Sequence, residues 1–297
     1  MAGTVGLVRK AVNCYVPAVA SLSVTLLGTG SPIPDPNRGG AASLVRAGSM
    51  LLLVDCGRGV LMRLAADGVF PGMLTAVLLT HLHSDHVTDL NDVITTRWAM
   101  SPQPNPLTIY GPPGTQRLVD RTMTMLEDDI GYRLAHHDDL TEPPRCDVVE
   151  ILDGTVIDSD GVLVTAAPTD HRPVHPTIGF RIDHDGASIV IAGDTIPCEG
   201  LDRLCAGADV YVQTTIRQPG VEQIPSVRLQ DILDYHSTIE MAAQTATRGG
   251  VRVLAMTHMV PPVGAGGEGE WIADAAPHFS GEVIVGHDLL RIDARPR

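Results

Sequence analysis

The run Thr80-His81-Leu82-His83-Ser84-Asp85-His86 decides the fold. It follows Ala76-Val77-Leu78-Leu79, a short apolar run that reads as a buried strand. Four metal-capable side chains crowd into six positions just past that strand end. They cannot all be core residues, because a buried imidazole or carboxylate is costly unless paired or metal-bound. His81 and His83 project together from an extended turn, whereas Asp85 and His86 open the following helix and face the other way. One cation suits the first pair and a second cation suits the other.

Three more ligand-type residues stand at predicted strand ends. His171 follows Val162–Ala166, Asp194 follows the run Ser188–Ala192, and His258 ends Val251–Thr257. In layered sheet folds, loops at strand ends carry the polar groups of a site. The donor arithmetic then closes for two ions. One takes His81, His83 and His171, the other takes Asp85, His86 and His258, and Asp194 bridges them. An imidazole-rich set suits two Zn2+, with Mn2+ or Fe2+ as alternatives. Two cations about 3.5–4 Å apart acidify a shared water and clamp attacking and leaving oxygens.

Around this set lie residues with a supporting role. Asp55, in Val54-Asp55-Cys56-Gly57, either orients a ligand histidine from behind or simply ends a strand. His236, in Asp234-Tyr235-His236-Ser237-Thr238, precedes a helix predicted over Ser237–Arg248. Ser237 alone would cap that helix. The extra imidazole could protonate a leaving oxygen or hold a phosphoryl oxygen, or be a surface histidine. His175 competes with His171, but Pro173 and Pro176 frame an extended loop from which one imidazole reaches the metals, and His171 is preferred. His136-His137 reads as a solvated turn, and His184, His278 and His287 lack partners at ligand spacing.

The rest of the chain supplies short β-rich runs separated by Gly and Pro: Leu22–Leu27, Met50–Val54, Ala76–Thr80, Leu107–Tyr110, Ile178–Ile182, Asp209–Val212 and Glu282–Val285 join those above. A second helix is predicted over Thr115–Leu126. Strands cluster first and then alternate with helices, which predicts an α/β chain folded as a four-layered αββα sandwich. A doubly wound dinucleotide fold is disfavoured, because Gly28-Thr29-Gly30 runs into Pro32, Pro34 and Pro36 instead of a helix.

With 44% hydrophobic and 3% aromatic residues, the core must be aliphatic, and disorder is not the default. A net charge of −14 excludes a basic nucleic-acid footprint at whole-chain level, although a local basic pocket stays open. Cys14, Cys56, Cys146, Cys198 and Cys205 form no C-x-x-C pair and read as reduced thiols of a cytoplasmic protein. No run of 18 apolar residues occurs, so no membrane span is expected. Residues 1–20 read as a disordered extension or a misplaced start, and residues 21–297 as one hydrolase domain.

These residues, in this order, resemble the metallo-β-lactamase superfamily, and within it the ribonuclease Z (tRNA 3′-processing endonuclease) family. The resemblance runs from about Leu22 to Ile292. Its particular marks are His171 followed by Pro176-Thr177-Ile178-Gly179-Phe180-Arg181, the run Gly193-Asp194-Thr195-Ile196-Pro197-Cys198, and His236-Ser237-Thr238 with His258 beyond the helix. The resemblance implies a homodimer that cuts a phosphodiester of precursor tRNA. It also implies Asp85 as proton acceptor as well as ligand, and His236 as proton donor.

Four departures stand out. The family's basic arm, which grips the tRNA, would be inserted after Ile182, yet Asp183-His184-Asp185-Gly186 reads as a tight hairpin. The loop Pro34-Asp35-Pro36-Asn37-Arg38-Gly39 keeps the family's arginine but not its lysine and asparagine. Arg58 stands where the family has an acidic residue. The family's His-Glu-Ala-Thr stretch reads Gln213-Thr214-Thr215-Ile216, so the glutamate that would orient His236 is missing. Arg38 and Arg58 are candidate phosphate contacts. The leading expectation is therefore a ribonuclease Z-type phosphodiesterase. The alternatives are a binuclear hydrolase of a small cyclic phosphodiester, sulfate ester, lactone or thioester, and a non-enzymatic protein with a relic metal site.

Overall fold

A computed structural model describes residues 21–297; the reading of residues 1–20 lies outside them. Among the described residues, fourteen strands form two sheets. The first contains Leu22–Gly28 (β1), Ala42–Ala47 (β2), Met50–Val54 (β3), Ala76–Leu78 (β4), Leu107–Gly111 (β5) and Cys146–Glu150 (β6). The second contains Gly154–Ser159 (β7), Val162–Pro168 (β8), Ile178–His184 (β9), Ala187–Ile191 (β10), Val210–Ile216 (β11), Val253–Val260 (β12) and Glu282–Val285 (β13). The last strand, Leu290–Ala294 (β14), returns to pair with β1, so the orders are β14-β1-β2-β3-β4-β5-β6 and β13-β12-β11-β10-β9-β8-β7.

Side-chain alternation builds the layers. Leu52 and Val54 of β3, Ile189 and Ile191 of β10, and Val210 and Val212 of β11 point into the space between the sheets with Phe180 and Ile182. Their neighbours point outward. Leu53 and Val77 pack under helices Val60–Ala66, Leu90–Met100 and Thr115–Met125 through Leu64, Val93 and Val119. Val190, Tyr211 and Leu254 pack under helices Glu199–Cys205, Ile239–Gly249 and Glu268–Ala275 through Leu201, Ala242 and Trp271. The expected αββα sandwich is the observed one. No helix among the described residues is long and apolar enough to cross a membrane.

Each sheet is antiparallel on one side and parallel on the other. β3, β4, β5 and β6 run parallel, as do β10, β11, β12 and β13. The parallel halves put several strand C-termini at one edge, where loops are free to carry a site. β12 has a further device. Thr214 pairs with Thr257 and Ile216 with Val260, so β12 holds one extra residue in that interval. The bulge falls at His258, whose φ is +48°.

Several sequence readings shift. The helix after His236 starts at Ile239 with Thr238, not Ser237, as its cap; the Thr238 hydroxyl accepts from the Met241 amide at 3.2 Å. Ser237 is drawn away because its hydroxyl donates to the Thr195 carbonyl at 2.7 Å. His136 ends a second helix, Glu127–His136, instead of lying in a turn, although it is exposed as expected. The tight hairpin after Ile182 is present as Asp185-Gly186, both at positive φ, between β9 and β10.

Phe180 is fully buried between the sheets. Its replacement in Phe180→Ala is expected to destabilise the fold by about 3–5 kcal/mol, read as a lower denaturation midpoint of the metal-loaded protein in urea.

Candidate metal centre

Asp55 anchors the histidine loop. It leaves β3 with φ +61° and lies beside the end of β4. Its Oδ1 accepts the Thr80 amide and its Oδ2 the Thr80 hydroxyl, both at 2.8 Å. The same Oδ2 accepts Nδ1 of His86 at 2.8 Å. Nδ1 of His81 in turn donates to the Thr80 hydroxyl at 3.0 Å. One carboxylate therefore fixes two imidazoles, and in each case the bonded Nδ1 leaves Nε2 facing inward. Of the two readings of Asp55, the geometry supports the orienting one.

From the opposite sheet, Asp194 leaves β10 through Gly193. A Cβ at Gly193 would lie 2.7 Å from Cβ of Thr80, and its φ is +66°, so only glycine lets the two strand-end loops approach this closely. Asp194 Oδ1 accepts the Thr214 hydroxyl at 2.7 Å. Asp194 Oδ2 faces Nε2 of His236 at 3.2 Å, His86 at 3.4 Å, His258 at 3.7 Å, and His81 and His171 at 3.8 Å.

The structure brings these residues together in two groups. Donor atoms of His81, His83, His171 and Asp194 lie within 4.8 Å of one another, as do those of Asp85, His86 and His258. Nε2 of His258 sits 3.0 Å from Asp85 Oδ2. A third grouping, Asp194 with His236 and His258, was not expected. His171 is buried and its Nδ1 donates to the Tyr235 carbonyl at 2.8 Å, whereas His175 is exposed. His171 Nε2 and His83 Nδ1 face each other at 3.3 Å.

This donor set fits divalent cations. Nε2 of His81 and of His86 is buried without a hydrogen-bond partner among the described residues. Burial holds His81 and His171 below the usual imidazole range, His171 at about 4, so both present neutral nitrogens. Burial also opposes charge on His86 and His258, but Asp194, with Asp55 beside the first and Asp85 beside the second, raises both. Burial would raise Asp194 too, yet the surrounding imidazoles, His258 and His86 foremost, pull it well below the carboxylate range. The pocket thus sets one committed carboxylate, Asp194, beside neutral nitrogens of His81 and His171 and beside His86 and His258, whose protons a bound cation would displace.

Residues 51–259 match the profile of the beta-lactamase superfamily domain. Ribonuclease Z of Mycobacterium avium is 60% identical over 273 residues, covering 91% of this chain and 98% of that protein. The chain belongs to the ribonuclease Z family. Ribonuclease Z of Mycobacterium tuberculosis is 56% identical over 278 residues, covering 93% of this chain and 99% of that protein. Human tRNase Z, short form, has a similar structure, with a TM-score of 0.67 at 26% identity over 92% of this chain and 99% of that one. The metallo-beta-lactamase fold protein YhfI from Bacillus subtilis shares the fold, with a TM-score of 0.72 at 20% identity over 92% and 99%. Membership of this family, with the donor cluster, makes the chain a metal-dependent hydrolase.

The two arginines fare differently. Arg38 is turned into the protein: its guanidinium donates to the Thr29 hydroxyl at 2.6 Å and the Gly286 carbonyl at 3.0 Å. It ties its loop to the chain beyond β13. Arg58 is exposed and makes no side-chain hydrogen bond or ion pair among the described residues. Sequence reasoning missed Thr80, Thr214 and the carbonyl of Tyr235. The two threonines carry no signal of their own beside such a motif, and a backbone carbonyl carries none at all.

Asp55→Ala is expected to weaken metal binding about 10–100-fold. Competition against a chromogenic chelator measures it.

Proposed function

We propose that this protein removes 3′ extensions from tRNA precursors as a zinc-dependent phosphodiesterase. The observation that carries the reading is the convergence of seven donors, Asp194 among them, with His236 beside them, in a chain 55–60% identical to curated ribonuclease Z proteins over more than nine-tenths of its length. His81, His83 and His171 would hold one Zn2+, and Asp85, His86 and His258 the other, with Asp194 shared. Such a pair supplies Lewis acidity, activating water and stabilising charge on the phosphoryl oxygens.

The chain's own groups do the rest. Asp85, with its carboxylate 3.0 Å from His258, takes the proton of the attacking water. Burial raises Asp85, but the hydrogen bond from His258 and the nearby imidazoles outweigh it and keep the carboxylate ionised. His236 stands within 3.2 Å of Asp194 and delivers a proton to the departing oxygen. Three residues stand in each donor set besides the shared Asp194, which leaves His236 for proton transfer. Arg58, free at the surface beside Gly57, contacts phosphate. We also assign residues 21–297 to one domain, since a single inter-sheet core joins β1 to β14. We assign it to the cytoplasm, which the free Cys56, Cys146, Cys198 and Cys205 suit, and we take from the family resemblance that it acts as a homodimer.

A second reading, a small phosphodiester substrate, is favoured by one observation: a two-residue turn stands where the family's arm would project. The deciding assay offers the zinc-loaded protein a 3′-extended precursor tRNA beside bis(p-nitrophenyl) phosphate. Cleavage of both is expected. Cleavage of the small ester alone selects the second reading, and cleavage of neither ends both. Asp85→Ala is expected to lower either rate by orders of magnitude. His236→Ala should keep the metal content of wild type while lowering kcat about 10²–10⁴-fold; loss of a metal instead would make His236 a ligand.

A further inference from the structure

His236 needs something to aim it. A proton donor on a rotatable ring is effective only when its other nitrogen is held. Thr214 stands in the stretch that in the family carries the glutamate for this task, and its hydroxyl is committed to Asp194. Among the described residues the partner of His236 Nδ1 is instead the carbonyl of Ile232, at 3.1 Å.

That carbonyl is fixed from both ends. Residues 231–234 form one tight 3-10 turn, and the same carbonyl accepts the amide of His236 at 3.2 Å. The Ile232 side chain, with Leu233, packs on a small apolar cluster of Ile216, Val221 and Val260. Ile216 and Val260 belong to β11 and β12, the strands that carry Thr214 and His258. On the other side of His236, both the amide and the hydroxyl of Ser237 bond the Thr195 carbonyl, at 3.0 and 2.7 Å, and the Ser237 carbonyl accepts the Ile216 amide at 2.9 Å. Between these clamps lies Tyr235, whose carbonyl holds His171.

We propose that Ile232 is a positioning residue: its side chain, seated on Ile216, Val221 and Val260, holds its own carbonyl against His236 Nδ1 in place of the missing carboxylate. This rests on His236 as the proton donor. Nδ1 then carries a hydrogen, and Nε2 alone points to the metal centre and the leaving group. A main-chain acceptor adds no charge beside Asp194, which a carboxylate at position 214 would.

Nitrogen-15 spectra of the zinc-loaded full chain, with His236→Ala to assign the ring, read the hydrogen directly and do not depend on any activity. The expected result is a protonated, slowly exchanging Nδ1 at His236. A wild-type spectrum with Nδ1 bare overturns the proposal whether or not the protein cleaves tRNA. Kinetics on bis(p-nitrophenyl) phosphate supply the second arm. Ile232→Ala is expected to lower kcat about tenfold with KM and zinc content unchanged, and Ile232→Val to restore it to within about twofold. A folded Ile232→Ala with wild-type kcat overturns the proposal. Should that variant not fold, the wild-type spectrum decides. Failure of every phosphodiester assay would sink the functional reading while leaving the spectrum to judge the geometry.

Discussion

One carboxylate oxygen, Asp194 Oδ2, has five imidazole nitrogens within 3.8 Å in a buried pocket. Such crowding is tolerable only where cations organise it, because lone pairs and a desolvated charge otherwise repel or go unpaired. The surrounding architecture serves this meeting. Two sheets must pack face to face so that β4 and β10 end beside one another, and Gly193 must lack a side chain so that Thr80 can touch it. Asp55 then pins the loop from one sheet, and Thr214 pins Asp194 from the other.

The orientation network uses two kinds of acceptor. His81 and His86 are held, directly or through Thr80, by the carboxylate of Asp55. His171 and His236 are held by main-chain carbonyls of a single stretch, Tyr235 and Ile232. The division follows what lies beside each loop: Asp55 leaves β3 next to β4, and the 3-10 turn at residues 231–234 stands just before His236.

Much of this was legible in the residues. The ligand run, the strand-end placement of Asp194 and the preference for His171 over His175 follow from spacing and turn chemistry, and the layered fold follows from the order of apolar runs. What escaped notice has local causes. Of the strands not foreseen, β6, β7 and β14 are sheet edges, with charged residues such as Asp147, Asp158, Arg291 and Asp293 interrupting their apolar signal. β2 is central, but Ala42, Ser43 and Ala47 give it little hydrophobic weight. Cap choice at Thr238 depended on a competing acceptor, Thr195, distant in sequence. Arg38 illustrates the opposite error: a cation in a site loop read as a substrate contact is occupied by Thr29 and Gly286.

The bulge in β12 sets a counting rule for this family member. Leu254 and Met256 face the helices and Ala255 the inter-sheet layer; strict alternation would send His258 toward the helices. The added residue reverses parity at that point, so His258 turns to the metal centre and Met259 returns to the helix side. The number of residues between Thr257 and Val260 therefore matters to the site as much as the identity of His258 does. Losing one position there would leave a plausible strand, an intact core on either face, and a histidine on the wrong side of the sheet.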